Sequence, residues 1–165
     1  MTTGGGISHG ATAGVLGSLV HAAEKESPRY SGGAIIYPCS KATQGVLVVC
    51  CLAMLGFAFF SYLAPSAPFW VSLIFVGFAA MTYFAWPRAV IADSEGLVQR
   101  NIFGRRKNIP WRNLTALQFR QRDLATFARG ADGTKIVHSP FHVARAHFQA
   151  EVARRTGLSN ILTTI

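Results

Sequence analysis

Residues 42–87 contain no Lys, Arg, Asp, Glu or His. These are the side chains that proteins usually place on a water-facing surface. Two apolar runs, 44–63 and 69–86, fill this stretch, and residues 64–68 separate them with two prolines. A helix of about 20 residues crosses the roughly 30 Å hydrocarbon layer of a bilayer, and proline cannot continue a helix. The sequence therefore predicts a transmembrane helical hairpin with a very short turn. The alternative is a buried hairpin in a soluble core.

The same absences limit what the hairpin can do. Without an ionisable side chain it provides no proton or ion path, and without histidine it offers no axial ligand for haem or a pigment. Two helices are also too few for a transporter with a binding site at the membrane midplane. The hairpin is therefore predicted to be an anchor.

Catalytic and metal-binding patterns are also missing. The three cysteines, at positions 39, 50 and 51, have no spacing typical of a disulfide framework or a metal site. His138 and His142 straddle Pro140, so they do not share a helix face as metal ligands would. No serine, histidine and carboxylate are placed as a nucleophile with its base. We predict that the protein is not an enzyme and needs no cofactor or metal.

Charge is placed very unevenly along the chain. Residues 88–165 carry thirteen Lys and Arg against five Asp and Glu, residues 1–43 carry three against two, and residues 64–68 carry none. Basic residues near membrane helices stay on the cytoplasmic side. We therefore expect both termini to be cytoplasmic. A cleaved signal peptide is not expected, because the first apolar run begins past residue 40 without a basic region at the start.

The first 43 residues are predicted to be a cytoplasmic segment with a short helix and a linker. A weakly apolar helical face is marked by Ile7, Ala11, Val15, Leu19 and Ala22. This helix is either a docking helix for a neighbouring subunit or a marginal surface helix. Residues 27–40 contain two prolines and two glycines, so we predict a linker there, with Tyr30 and Tyr37 in the lipid headgroup zone.

The tail after the hairpin shows alternating apolar and polar residues that predict six short antiparallel strands. A helix ending at about Thr156 follows, with Gly157 as its stop. This tail resembles the pleckstrin-homology-like (bacterial PH) domain of small bacterial membrane proteins, which a pair of transmembrane helices often precedes. The resemblance is carried by the final helix and by Asp93-Ser94-Glu95-Gly96-Leu97, Gly104-Arg105-Arg106, Ile109-Pro110-Trp111 and Asp132-Gly133.

The resemblance implies a membrane α-helical hairpin plus an α+β unit, a small antiparallel PH-like β-barrel or sandwich capped by a C-terminal helix. That family normally has seven strands, so one strand is missing or irregular in the pattern. It implies a binding role, no catalytic residues and a location in the bacterial cytoplasmic (inner) membrane. The expected boundaries are 1–43 for the N-terminal segment, 44–86 for the hairpin, 87–158 for the PH-like domain and 159–165 for a tail.

Basic residues of the tail are the candidate contact residues. They are Arg100, Arg105, Arg106, Lys107, Arg112, Arg120 and Arg122. Three interpretations of these residues are open. They form an ordinary positive flank that fixes the membrane topology, a surface for anionic lipid headgroups, or a surface for an acidic protein partner. A nucleic-acid partner is not expected, because no helix-turn-helix, zinc or RNA-binding motif is present.

These patterns predict a non-enzymatic accessory or scaffold subunit of the membrane. It would dock to and stabilise a larger membrane protein complex, respiratory, photosynthetic or secretory, through its hairpin and its PH-like domain. The alternative is a membrane module that binds anionic lipids.

Overall fold

The computed structural model describes residues 6–64, 68–84, 88–100, 106–157 and 162–164. The chain divides into two compact units, which we call the sheet unit (Met1–Ser40 with Arg88–Ile165) and the hairpin unit (Lys41–Pro87). The hairpin unit is therefore an insertion within the sequence of the sheet unit.

The sheet unit contains two sheets. Its described elements are α1 (Gly6–Lys25), β1 (Arg29–Ser31), β2 (Ala34–Tyr37), β3 (Val90–Ala92), β4 (Gly96–Arg100), β5 (Arg106–Pro110), a 3₁₀ turn (Trp111–Asn113), β6 (Leu114–Arg120), β7 (Ala125–Gly130), β8 (Lys135–His138), α4 (Arg145–Thr156) and β9 (Leu162–Thr164). The first sheet has the order β1-β2-β3-β4-β5 and the second β8-β7-β6-β9. The described strand pairs are antiparallel except β6 with β9, which is parallel.

The core lies between the two sheets and α4. Leu97 and Ile109 pair across β4 and β5 and are both buried. Residues from the second sheet and from α4 complete this core, among them Leu117, Ile136, Phe148 and Val152. The predicted antiparallel strands and C-terminal helix are thus confirmed, and the described strands form two separate sheets, not a closed barrel.

Residues 27–40 are not the predicted linker. Gly32 and Gly33 adopt φ angles of 55° and 80° and turn β1 into β2, because glycine reaches this left-handed region without strain. β2 then pairs with β3, which follows the inserted hairpin unit in the sequence. Tyr37 is fully buried, so its predicted place among lipid headgroups is wrong. Its ring packs against Phe148 instead, with ring centroids 5.2 Å apart.

The hairpin unit consists of α2 (Lys41–Leu63) and α3 (Phe69–Phe84), which pack against each other. Small side chains such as Ala58 and Ala79 are buried, and the rings of Phe57 and Phe75 stack with centroids 5.6 Å apart. Among the described helices, α2 alone is both long enough and apolar enough to cross a membrane. α3 is also apolar, but it has only 16 residues.

Candidate functional site

The candidate basic residues are divided between the two sheets. Arg106 and Lys107 are neighbours on β5, so their side chains point to opposite faces of the strand. Arg112 lies in the 3₁₀ turn, while Arg120 and Arg122 lie at the end of β6 and in the turn after it. The backbone of Arg100 pairs with Arg106 on the neighbouring strand. Arg105 lies outside the described residues.

Two of these side chains are engaged by their neighbours. Arg120 lies 3.8 Å from a carboxylate oxygen of Asp123, and its guanidinium is 4.7 Å from the ring centroid of Phe127. The ammonium of Lys107 donates a hydrogen bond of 3.4 Å to the carbonyl of Lys135. Arg106, Arg112 and Arg122 are exposed, and the described part of the chain holds no carboxylate in ion-pair range of them. Their charges are available to an anionic partner.

One loop holds the chain where it enters and where it leaves the hairpin unit. The amide of Val143 donates to the carbonyl of Pro38 at 3.0 Å, just before α2. Nε2 of His142 donates to the carbonyl of Arg88 at 2.6 Å, just after the insertion. We call this site the hairpin junction, and it comprises residues 38–40, residue 88 and residues 138–143.

Two buried histidines form the centre of the hairpin junction. Nδ1 of His142 accepts the amide proton of Ser139 at 2.9 Å, so Nε2 carries the ring proton. His138 donates from Nε2 to the carbonyl of Val143 and stacks on Phe148 with centroids 4.5 Å apart. Burial lowers the pKa of both histidines, and for His138 the neighbouring His142 lowers the pKa further. Within the described ranges, no group of three His, Cys, Asp or Glu side chains could hold a metal.

The N-terminal strands are linked to α4 through His147. The hydroxyl of Tyr37 lies 3.0 Å from Nδ1 of His147, and that of Tyr30 lies 3.3 Å from Nε2. Burial, and secondly the charge of Glu151, raises the pKa of the Tyr37 hydroxyl above its ordinary value. The two tyrosines thus hold one histidine of α4 between them.

An ion cluster fastens the end of α4. Glu151 accepts hydrogen bonds from Arg154 at 2.8 Å and from Arg155 at 2.5 Å, and these bonds, that of Arg154 first, lower the pKa of its carboxyl to about 2. Arg155 also donates to the carbonyl of Asp93, and its guanidinium lies 5.1 Å from the ring centroid of Trp111. This cluster joins α4 to the β3–β4 turn, so its role is structural.

The predicted N-terminal helix is present as α1, and a carboxylate fixes its end to α4. Ala144 precedes α4 in a left-handed conformation and provides no side-chain cap. Glu24 of α1 supplies one, because its Oε1 accepts the amide proton of Ala146 at 3.0 Å while Oε2 lies 3.8 Å from Arg145. Negative charge is stabilising at a helix N-terminus. The end of α1 is therefore part of the sheet unit.

Comparison with protein families agrees with this arrangement of strands and final helix. Residues 87–156 match the bacterial PH domain family. This match supports a PH-like domain in that range, as the resemblance predicted, and we use the name PH-like domain below for the whole sheet unit. The strands β1, β2 and β9 of this PH-like domain lie outside the matched range. Comparison with curated proteins found no match.

Sequence reasoning missed the roles of Glu24 and His142. Glu24 caps a helix 122 residues later, and His142 binds a carbonyl 54 residues earlier. Spacing along the chain gives no signal for contacts of this kind. One local signal exists. Alanine at position 144 cannot cap α4 with its side chain, which indicates that the cap comes from another part of the chain.

Proposed function

We propose that this protein is a non-enzymatic accessory subunit of a larger membrane protein complex in the bacterial inner membrane. The hairpin unit is its two-span anchor, both termini are cytoplasmic, and the PH-like domain contacts and braces neighbouring subunits. The observation that carries the proposal is the insertion of an apolar hairpin, uncharged from residue 42 to residue 87, between two paired strands of the PH-like domain.

The surface of the hairpin unit supports the membrane setting. Large apolar side chains point outward on both helices, among them Phe59, Phe60, Trp70 and Phe78. Only 6% of the most apolar stretch of α2 is buried, whereas a core helix of a soluble protein is mostly buried. An apolar surface of this extent in water promotes aggregation. At about 24 Å, α3 is shorter than the bilayer core, a mismatch that local thinning of the bilayer accommodates.

The polar groups of the PH-like domain support a binding role. The carboxylate of Glu151 is held by Arg154 and Arg155, and both ring nitrogens of His142 are hydrogen-bonded. Among the described residues these groups satisfy one another and do not converge on an open site. An arrangement of this kind suits a rigid contact surface.

The topology is tested by cysteine labelling. In a variant without the native cysteines, a cysteine replacing Ser66 is expected to react with an impermeant maleimide added to intact bacteria. A cysteine replacing Ala131, in an exposed turn of the PH-like domain, should react only after the membrane is opened. Labelling of both positions only after opening contradicts a hairpin that crosses the membrane. Labelling of position 131 from outside contradicts cytoplasmic termini.

The accessory role is tested by extraction from the native membrane in a mild detergent, followed by sizing and identification of co-migrating proteins. We expect the protein in a stoichiometric assembly several times larger than its own 17.8 kDa. Migration alone, as a monomer or small homo-oligomer, contradicts the accessory role.

Exposed arginines for which the described residues provide no ion pair favour a second candidate, a module that binds anionic lipids. The double variant Arg106→Glu/Arg112→Glu separates the two functions. Each basic residue near an anionic surface contributes about 1 kcal/mol. Loss of binding to liposomes of anionic lipid with an intact assembly favours the lipid module, whereas loss of the assembly with unchanged liposome binding favours the accessory subunit.

A further inference from the structure

An apolar groove lies between α1 and the second sheet of the PH-like domain. Its volume is about 520 Å³, within the range of roughly 300–1,000 Å³ that is typical of sites for small ligands. Two side chains of α1, one helical turn apart, form one wall. With the apolar residues of the opposite wall they are Leu16, Val20, Leu124, Phe127, Val137 and Phe141.

One exposed cation, Arg122, borders the groove, and we call this end of the groove its mouth. Arg122 and Asp123 both border it. Asp123 lies 3.8 Å from Arg120, so its charge is balanced, whereas the described residues provide no ion pair for Arg122. An apolar interior below an unpaired cation is complementary to a ligand with an apolar chain and an anionic end.

We propose that this groove binds one long-chain fatty acid. The hydrocarbon chain lies against Leu16 and Val20, and the carboxylate lies at Arg122. Eleven residues line the groove, whereas a stable protein interface uses about 20–30 residues on each side. The size of the groove therefore favours this occupant over a helix of a partner protein. This binding site does not depend on the proposed accessory role, since every residue it uses belongs to the PH-like domain.

The test uses the full chain in nanodiscs of phosphatidylcholine and a photoactivatable diazirine analogue of stearic acid. We expect the label on peptides that contain Leu124 or Phe141, and we expect excess oleic acid to remove it. Leu16→Asp should reduce this labelling about tenfold, because it places a negative charge inside the groove. Val15→Asp is the matched control, since Val15 is 55% exposed and Leu16 51%, but Val15 does not line the groove.

A second pair of variants tests the charge at the mouth. Arg122→Glu should reduce labelling about fivefold, as expected for reversal of one exposed charge pair. Arg29→Glu makes the same charge change on an exposed residue that does not border the groove, and it should leave labelling unchanged.

Four results would overturn the proposal. Label confined to residues 41–87 would report partition into the bilayer only. Equal labelling by the uncharged alcohol analogue would show that Arg122 does not bind a carboxylate. Equal effects of Leu16→Asp and Val15→Asp would show that the ligand does not lie in the groove. The fourth result is a cross-link from a photoreactive residue at position 16 to another protein in the native membrane, without labelling by the fatty acid. It would show that a partner protein, not a fatty acid, covers this surface.

Discussion

Replacing Tyr37 with alanine is expected to destabilise the PH-like domain by about 3–5 kcal/mol, the usual cost of removing a buried aromatic ring. Tyr37 is fully buried between His138 and Phe148, although it lies fifty residues before the range that matches the family. The loss is measured by hydrogen exchange of the amides of Leu117 and Ala128 in the second sheet. Exchange should accelerate at least about 100-fold, since each 1.4 kcal/mol is a factor of ten.

Tyr30→Ala is the matched control for this experiment. Tyr30 belongs to the neighbouring strand and contacts the same histidine, His147, but it is 68% exposed. Substitutions at such positions usually change stability by less than about 0.5 kcal/mol. If Tyr37→Ala and Tyr30→Ala accelerate exchange equally, the strands before the hairpin do not belong to the core of the PH-like domain.

Acidification from pH 7.5 to pH 5 is expected to destabilise the PH-like domain, because two buried histidines resist protonation in the folded state. His138 and His142 are buried, and burial lowers the pKa of each in the folded state, whereas the pKa of an unfolded histidine is about 6.5. Below about pH 6.5 the unfolded chain therefore binds protons that the folded chain does not. The contribution of the two neutral histidines to the free energy of unfolding is therefore fully present above pH 6.5. It decreases as the pH falls below this value, by up to about 1.4 kcal/mol per pH unit for each histidine.

The pH dependence is measured by the same amide exchange, corrected for its intrinsic dependence on pH. His138→Phe and His142→Asn should each reduce the slope between pH 6.5 and pH 5. Glu151 contributes outside this window, because its pKa of about 2 means that its stabilisation is lost only as pH falls below about 4.5. An unchanged slope in both variants would contradict the assignment of the two buried histidines.

Local sequence signals predict much of the second half of the PH-like domain. Asp93 accepts the amide protons of Glu95 and Gly96, which is the turn chemistry expected between β3 and β4. Asp132 and Gly133 turn β7 into β8 as their dipeptide predicts. Gly157 ends α4 with a φ of 71°. These features depend on residues within a few positions of one another.

The N-terminal strands were missed because their pairing partner is distant in sequence. The two prolines and two glycines of residues 27–40 flank the strands and form their turn; they do not interrupt them. Gly32-Gly33 is itself a dipeptide typical of a hairpin turn. The burial of Tyr37, however, depends on α4, and the hydrogen bonds of His142 depend on a carbonyl beyond the insertion. Periodicity in a single sequence does not contain such contacts.

The insertion of the hairpin between β2 and β3 imposes an order of events during synthesis. The ribosome releases β1 and β2 first, and an isolated two-stranded ribbon is at best marginally stable. β3 reaches β2 only after residues 41–87 have been made. Under the two-span topology that we propose, entry of both apolar helices into the bilayer would return the chain to the side on which β2 lies. Pairing of β2 with β3 would then depend on the fate of the inserted segment, so that folding of the sheet unit would report on membrane insertion.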